Sequence, residues 1–180
     1  MNKAANPILD GFAAAGKVQG IGSSRYANSA KAHPKRSPDF LRQHFSGAFF
    51  TMPYLHAADL EAAASYWYRH FVGDNYQRFG AAARSAPWAQ VYERRAGVPQ
   101  DIVAELRALS DPAIATLVAM LLDAGGSTET TRQMLSAVYD DPSVSQLTIY
   151  QIGAGVASTG IVLAGLRTNG EATFLLFLMD

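Results

Sequence analysis

The run of six apolar residues from Phe174 to Met179 constrains the fold of this chain more than any other feature. Its length suits a β-strand. A strand with one wet face alternates apolar and polar side chains, because successive residues point to opposite sides. This segment does not alternate, so both of its faces require cover. Full burial of each large side chain is worth about 1.5–3 kcal/mol. As the last strand of a meander it would also form an edge, and an uncovered apolar edge invites aggregation. The sequence therefore predicts that another strand pairs with it. The candidates are residues 47–52, a strand from the N-terminal arm, or the same strand of a second subunit. Helices are expected on at least one face.

The rest of the meander is readable just upstream. Leu147–Ile152 is rich in β-branched and aromatic residues, Gly153-Ala154-Gly155 reads as a turn, and Val156–Leu166 is long and apolar. Gly160 is expected at a bulge or bend. Asn169-Gly170 is a strong hairpin signal. The expected strands are 145–152, 156–167 and 171–179.

Between 57 and 139 the period becomes helical. Leu60, Ala64, Trp67 and Phe71 form an amphipathic stripe over 57–72, and Gly73 is expected to end it. A second helix is expected over 75–84. A third, capped by Ser85, would carry Trp88, Val91, Tyr92 and Arg95 along one side. A fourth covers 100–109. The fifth, 112–124, is capped by Ser110. It is apolar around most of its circumference, which predicts the central, most buried helix. A sixth runs from Ser127 or Thr128 to Tyr139 and is stopped by Asp140-Asp141-Pro142. The fold class is thus α+β: five to six helices packed against a C-terminal antiparallel β-meander of at least three strands. Residues 46–180 form one such domain. Residues 1–45 read as a basic, Gly/Ser/Pro-containing arm, partly flexible, in which Ile8, Leu9 and Phe12 share one face of a short helix. In addition, Ala48–Met52 has the character of a short strand.

Charge is distributed unevenly although the chain sums to zero. Residues 1–50 carry +5, residues 51–110 are neutral, and residues 111–180 carry −5. The arm either folds back on the acidic third or reaches an acidic partner, and the first is the better expectation. A charge of +5 is too small to signal nucleic acid, so that partner is not expected.

Several chemistries are absent from the sequence. Without cysteine there is no thiol nucleophile, thiolate zinc site, Cys-held cluster or disulfide. No run approaches the length of a transmembrane helix, and Asn6, Pro7, Asp10 and Gly11 interrupt any secretory apolar core. A cytoplasmic location is the resulting expectation, with export through a non-classical N-terminal arm as the alternative. Gly20-Ile21-Gly22-Ser23-Ser24 lacks the third glycine and the Gly-Lys-Ser/Thr ending of a phosphate loop. His33, His44, His56 and His70 form no metal-ligand pair at helical spacing. Asp140 and Asp141 lack the rest of a calcium loop. No cofactor and no metal are expected, and no Gly-x-Ser-x-Gly elbow is present.

Two clusters remain as candidate sites. Tyr66 and His70 stand one helical turn apart, with Arg69 between them. His70 would serve as general acid or base, Tyr66 as its hydroxyl partner, and Arg69 or Arg78 as an anion holder. The plainer account is that amphipathic aromatics ring the rim of a core. Trp88, Tyr92, Arg94 and Arg95 have the composition of a protein interface, against the plainer account of a solvated helix end. Phe174 and Leu176 join them as the apolar strand in need of a partner. The expected function is a non-catalytic protein-interaction module: an inhibitor, an immunity-type protein, an adaptor or a secretion-associated protein. It would pair with a protein partner or with itself through a strand edge. The alternatives are a small hydrolase or transferase acting on an anionic or glycosidic substrate through the His70/Tyr66/Arg69 cluster, and an effector delivered through its flexible arm.

Overall fold

The computed structural model describes residues 17–20, 45–52, 55–94, 97–123, 128–153 and 159–179. Most of the N-terminal arm, with the expected helix around Ile8, therefore lies outside the described residues. Within the arm, Lys17–Gly20 forms strand β1. The other strands are β2 (Phe45–Met52), β3 (Trp88–Glu93), β4 (Val144–Ile152), β5 (Thr159–Arg167) and β6 (Ala172–Met179). The helices are α1 (Leu60–Asp74, entered through a 3-10 turn at Ala57–Asp59), α2 (Tyr76–Arg84), α3 (Ile102–Arg107), α4 (Pro112–Asp123) and α5 (Thr128–Tyr139).

The strands make one antiparallel sheet in the order β1-β2-β6-β5-β4-β3. β6 lies inside it, paired with β2 from Phe45↔Met179 to Met52↔Ala172 and with β5 from Thr159↔Met179 to Leu166↔Ala172. The cover the sequence demanded is thus intramolecular, and residues 47–52 provide the strand. Helices flank the sheet on both sides. Ala172, Phe174, Leu176 and Leu178 pack with α1 and α2, whereas Leu175 and Phe177 pack with α3, α4 and α5. β5 divides the same way, with Val162, Ala164 and Leu166 to one side and Ile161 and Leu163 to the other. A strand read by two helical layers has no polar period, and that is why 174–179 shows none.

Where glycine replaces a side chain in β5, a neighbour lies on the backbone. A Cβ at Gly165 would stand 2.9 Å from Cδ1 of Tyr139. The Tyr139 ring lies flat against that spot, and its hydroxyl donates to Leu163 O at 3.2 Å. Gly160 is not a bulge: its pairing with Ile152 and Leu178 continues the ladder on both sides. A Cβ there would meet Leu178 Cδ2 at 2.3 Å and Phe177 O at 2.8 Å, so the residue is small because Leu178 packs over it. The β5–β6 hairpin turns through Thr168-Asn169-Gly170. Gly170 N donates to Arg167 O at 2.9 Å, Arg167 N to Glu171 O at 2.8 Å, and Gly170 adopts φ 83°. This is the three-residue loop that ends in a left-handed glycine.

Four local expectations need correction. Residues 85–96 do not form a helix. Ser85 ends α2, its hydroxyl donating back to Ala81 O at 3.3 Å, and Trp88–Glu93 is a strand. A bulge between Gln90 and Tyr92 places Val91 and Tyr92 together on the α3–α5 side, and this erases the alternation that marks a strand. Helix α1 runs through Gly73 to Asp74, and the Asn75 side-chain amide closes it by donating to Phe71 O at 2.8 Å. Helix α4 is capped by Asp111, which accepts from Ala113 N at 2.8 Å and Ile114 N at 3.2 Å, rather than by Ser110. Nor is α4 central. It buries Ile114, Leu117, Val118, Met120, Leu121 and Leu122 but leaves Ala115, Thr116 and Ala119 exposed. Alanine reads as apolar in a periodicity, yet it is tolerated at a surface.

No helix of the described residues is long and apolar enough to cross a membrane.

Candidate functional site

Among the described residues the sheet has two outer edges, β1 and β3. β3 is the longer, six residues against four, and among the described residues it pairs only with β4. Its inner hydrogen bonds are fixed at both ends. Gly153 N donates to Pro87 O and Arg94 N donates to Leu147 O, each at 2.9 Å. Backbone groups alternate in direction along an antiparallel strand. Trp88 and Glu93, which adjoin these anchors, therefore turn their peptide groups away from β4.

Register assigns the side chains to faces. Trp88, Gln90 and Glu93 stand opposite Ile152, Tyr150 and Thr148, on the α1/α2 side; Tyr92 stands opposite Ile149, on the α3–α5 side. Trp88 is half-buried, packed edge-on to Tyr68 at 5.3 Å and tilted on Tyr150 at 5.4 Å. Val91 and Tyr92 are also half-buried, whereas Ala89, Gln90 and Glu93 are exposed. Burial pushes the Tyr150 hydroxyl up to about 12; the carboxylate of Glu61 in the first turn of α1 adds to this, a hydrogen bond with Thr148 opposes it, and Glu93 contributes last. Glu93 thus stands exposed on the open edge, opposite Thr148, on the face that carries the buried Tyr150. Glu93 has a long hydrogen bond from Gln90 Nε2 at 3.4 Å.

The six residues expected to bind a partner separate clearly. Trp88 and Tyr92 lie on this edge. Arg95 lies outside the described residues. Arg94 is not a surface group. Its side chain is 6% exposed and forms a bidentate pair with Glu105, Nε to Oε1 at 2.7 Å and Nη2 to Oε2 at 2.9 Å. Nη1 donates to Tyr139 O at 2.7 Å, and Nη2 also reaches Asp140 Oδ1 at 3.2 Å. That carboxylate accepts from Ile102 N at 2.8 Å. Arg94 thereby ties β3, the start of α3 and the end of α5 together. Phe174 and Leu176 are both 0% exposed, inside the core, and both backbone edges of β6 are taken. They are unavailable to a second protein in the folded chain.

The Tyr66/Arg69/His70 cluster lies on α1. His70 is 43% exposed, and its Nδ1 stands 3.0 Å from Asp74 Oδ2, one turn on. This orientation leaves Nε2 as the working nitrogen. The imidazole is tilted against Trp67 at 5.8 Å and Tyr66 at 6.3 Å. Arg69 is exposed. Trp67 stacks on Phe50 at 4.8 Å, and its buried indole N–H has no acceptor among the described residues. A shallow groove of about 280 Å³ lies between α3 and α4, lined by Leu106, Arg107, Ala115, Val118, Ala119, Leu122 and Asp123. It belongs to the opposite layer from α1 and brings none of the three residues together. Among the described residues no group of three or more His, Asp or Glu side chains is placed to hold a metal ion.

Sequence reasoning missed Gln90 and Glu93 as neighbours on one edge. The signal that would have found them is the strand at 88–93, which the bulge concealed. Comparison with protein-family models, with curated proteins and with solved structures finds no match to this chain.

Proposed function

We propose that this protein is a non-catalytic protein-interaction module that engages its partner along the outer edge of β3. The observation that supports this reading best is the placement of Trp88 and Tyr92, two residue types enriched in binding hot spots, on a six-residue strand whose outer side is unpaired among the described residues. Strand addition to an exposed edge is an established mode of peptide recognition, in which main-chain hydrogen bonds supply affinity and flanking side chains supply selectivity. The scaffold suits that role. Helices on both faces hold the sheet rigid, and the Arg94–Glu105 pair anchors β3 where it leaves the sheet. An edge fixed in this way loses little freedom on binding.

The test compares capture by the native chain with capture by Glu93→Pro. This substitution removes one outward amide and leaves the inward Arg94 amide intact. A stoichiometric partner retained by the native chain and lost by the variant, with the two melting alike, is the expected result. Equal retention by both would contradict binding through β3.

A further inference from the structure

We infer that the occupant of the β3 edge is a second copy of this chain, paired antiparallel about a two-fold axis through Gln90. This rests on the reading that β3 is a binding edge, and it names the partner of that edge. Trp88 and Glu93 turn their peptide groups outward, because Gly153 N donates to Pro87 O and Arg94 N to Leu147 O on the inner side. Gln90, the next but one after Trp88, turns outward with it. The bulge then removes one residue from the count. Gln90, Tyr92 and Glu93 stand opposite Tyr150, Ile149 and Thr148, which are consecutive in β4. The outward peptides at 88, 90 and 93 are therefore spaced as in a regular strand, with Gln90 at the centre. Reversed by a two-fold, this series falls on itself: Gln90 faces its own counterpart, while Trp88 and Glu93 face each other. Every outward peptide of β3 then finds a partner at once. A two-fold centred elsewhere on β3 leaves Trp88 or Glu93 beyond the end of the facing strand.

The side chains match in the same register. On the α1/α2 side the exposed carboxylate of Glu93 lies opposite Trp88 of the second copy, a neutral side chain with one N–H to donate. No like charges face each other across the pair, where they would be destabilising. At the axis the two Gln90 side chains meet. A carboxamide both donates and accepts, so it is complementary to its own image. The bond from Gln90 to Glu93 within one chain is long, 3.4 Å, and holds that carboxamide weakly. On the α3–α5 side exposed Ala89 lies opposite the larger, half-buried Tyr92 of the second copy, small against large. A single strand pair buries little area, so the dimer is weak and depends on concentration.

The experiment follows the mass of the full chain by light scattering across a concentration series at low salt. It compares the native protein, Gln90→Glu, Gln90→Lys, an equal mixture of these two variants, and Glu93→Pro. Residue 90 is exposed, so both charge variants are expected to melt with the native chain. The native chain is expected to pass from monomer to dimer. Each charge variant sets two like charges at the axis and is expected to dimerise at least about fivefold more weakly, whereas the mixture regains the native affinity or exceeds it. Glu93→Pro removes two outward amides from one dimer and is expected to abolish it. A native monomer throughout the series overturns the second copy, and the capture experiment with Glu93→Pro then decides whether another protein takes the edge. A dimer lost in Glu93→Pro but indifferent to charge at 90 overturns the two-fold through Gln90 and leaves β3 as the edge. A dimer retained by every variant overturns the inference and puts the contact on another surface.

Discussion

Arg94 and Glu105 face each other across the β3–α3 junction in a two-pronged ion pair, at 2.7 and 2.9 Å, with each side chain only 6% exposed. Removing one partner strands a buried charge. Glu105→Leu or Arg94→Met is expected to cost about 3–5 kcal/mol in urea unfolding. Joint replacement by Arg94→Met and Glu105→Leu is expected to cost clearly less than the two single losses combined. Additive losses would mean that the two groups do not act as a pair.

Gly165 and Tyr139 make a second obligatory match. Because a Cβ at 165 would press on the Tyr139 ring at 2.9 and 3.0 Å, Gly165→Ala is expected to destabilise by about 1–3 kcal/mol. The penalty should shrink when Tyr139 is replaced by leucine, which relieves the overlap. An undiminished penalty in that background would place the strain elsewhere.

Below pH 5 a specific carboxylate comes into play. Asp141 titrates below its ordinary value, first because the hydroxyl and the amide of Ser143 donate to it, and then because Arg167 lies 3.3 Å away. A depressed folded value means that the stabilisation is present above the unfolded value. It is lost as pH falls through the folded one. From about pH 5 downward, the native chain is expected to lose stability more steeply than Asp141→Asn. Parallel acid limbs for the two proteins would contradict this.

Alkaline titration reads the other end of the sheet. Burial pushes the hydroxyls of Tyr68 and Tyr150 up to about 12, and at Tyr150 the Glu61 and Glu93 charges add to this. A raised folded value contributes stability below the ordinary 10 that is lost as pH rises from 10 through 12. Tyr68 also donates to Ala83 O, which ties α1 to the end of α2. Absorbance at the tyrosinate band should show late titration that Tyr150→Phe and Tyr68→Phe each reduce. Glu61→Gln/Glu93→Gln should advance the Tyr150 component and leave that of Tyr68 in place. No advance would separate those carboxylates from the phenol.

How much of this was legible in the sequence depends on whether the signal was local. The β4–β5–β6 meander was legible because its apolar runs and the Asn169-Gly170 turn are short-range features. The lack of alternation in 174–179 announced two-sided cover, and Phe174 and Leu176 were then misread as a surface for a partner. Periodicity states that a side chain will be covered. It does not state by what, and here β2, α1 and α2 do the covering. Residues 85–96 failed for another reason: a single bulge set Val91 beside Tyr92 on one face and imitated a helical stripe. Arg94 belonged in the reading as an arginine near tryptophan and tyrosine. Its true partners, Glu105, Tyr139 O and Asp140, are 11, 45 and 46 positions away, beyond any spacing rule. The end of α5 shows the same effect. No base lies in its last turn, and arginines from the far side of the sequence serve it, Arg94 at Tyr139 O and Arg167 at Val138 O at 3.0 Å.

The central claim is that β6 is saturated within the chain and that β3 carries the available edge. Residue-resolved amide hydrogen exchange on the isolated protein, at a dilution that keeps it monomeric, tests it most directly. The amides of β6 are expected among the slowest in the molecule, and those of Trp88 and Glu93 among the fastest in the sheet. Fast exchange along β6, or amides of Trp88 and Glu93 already protected in the free monomer, would contradict the account.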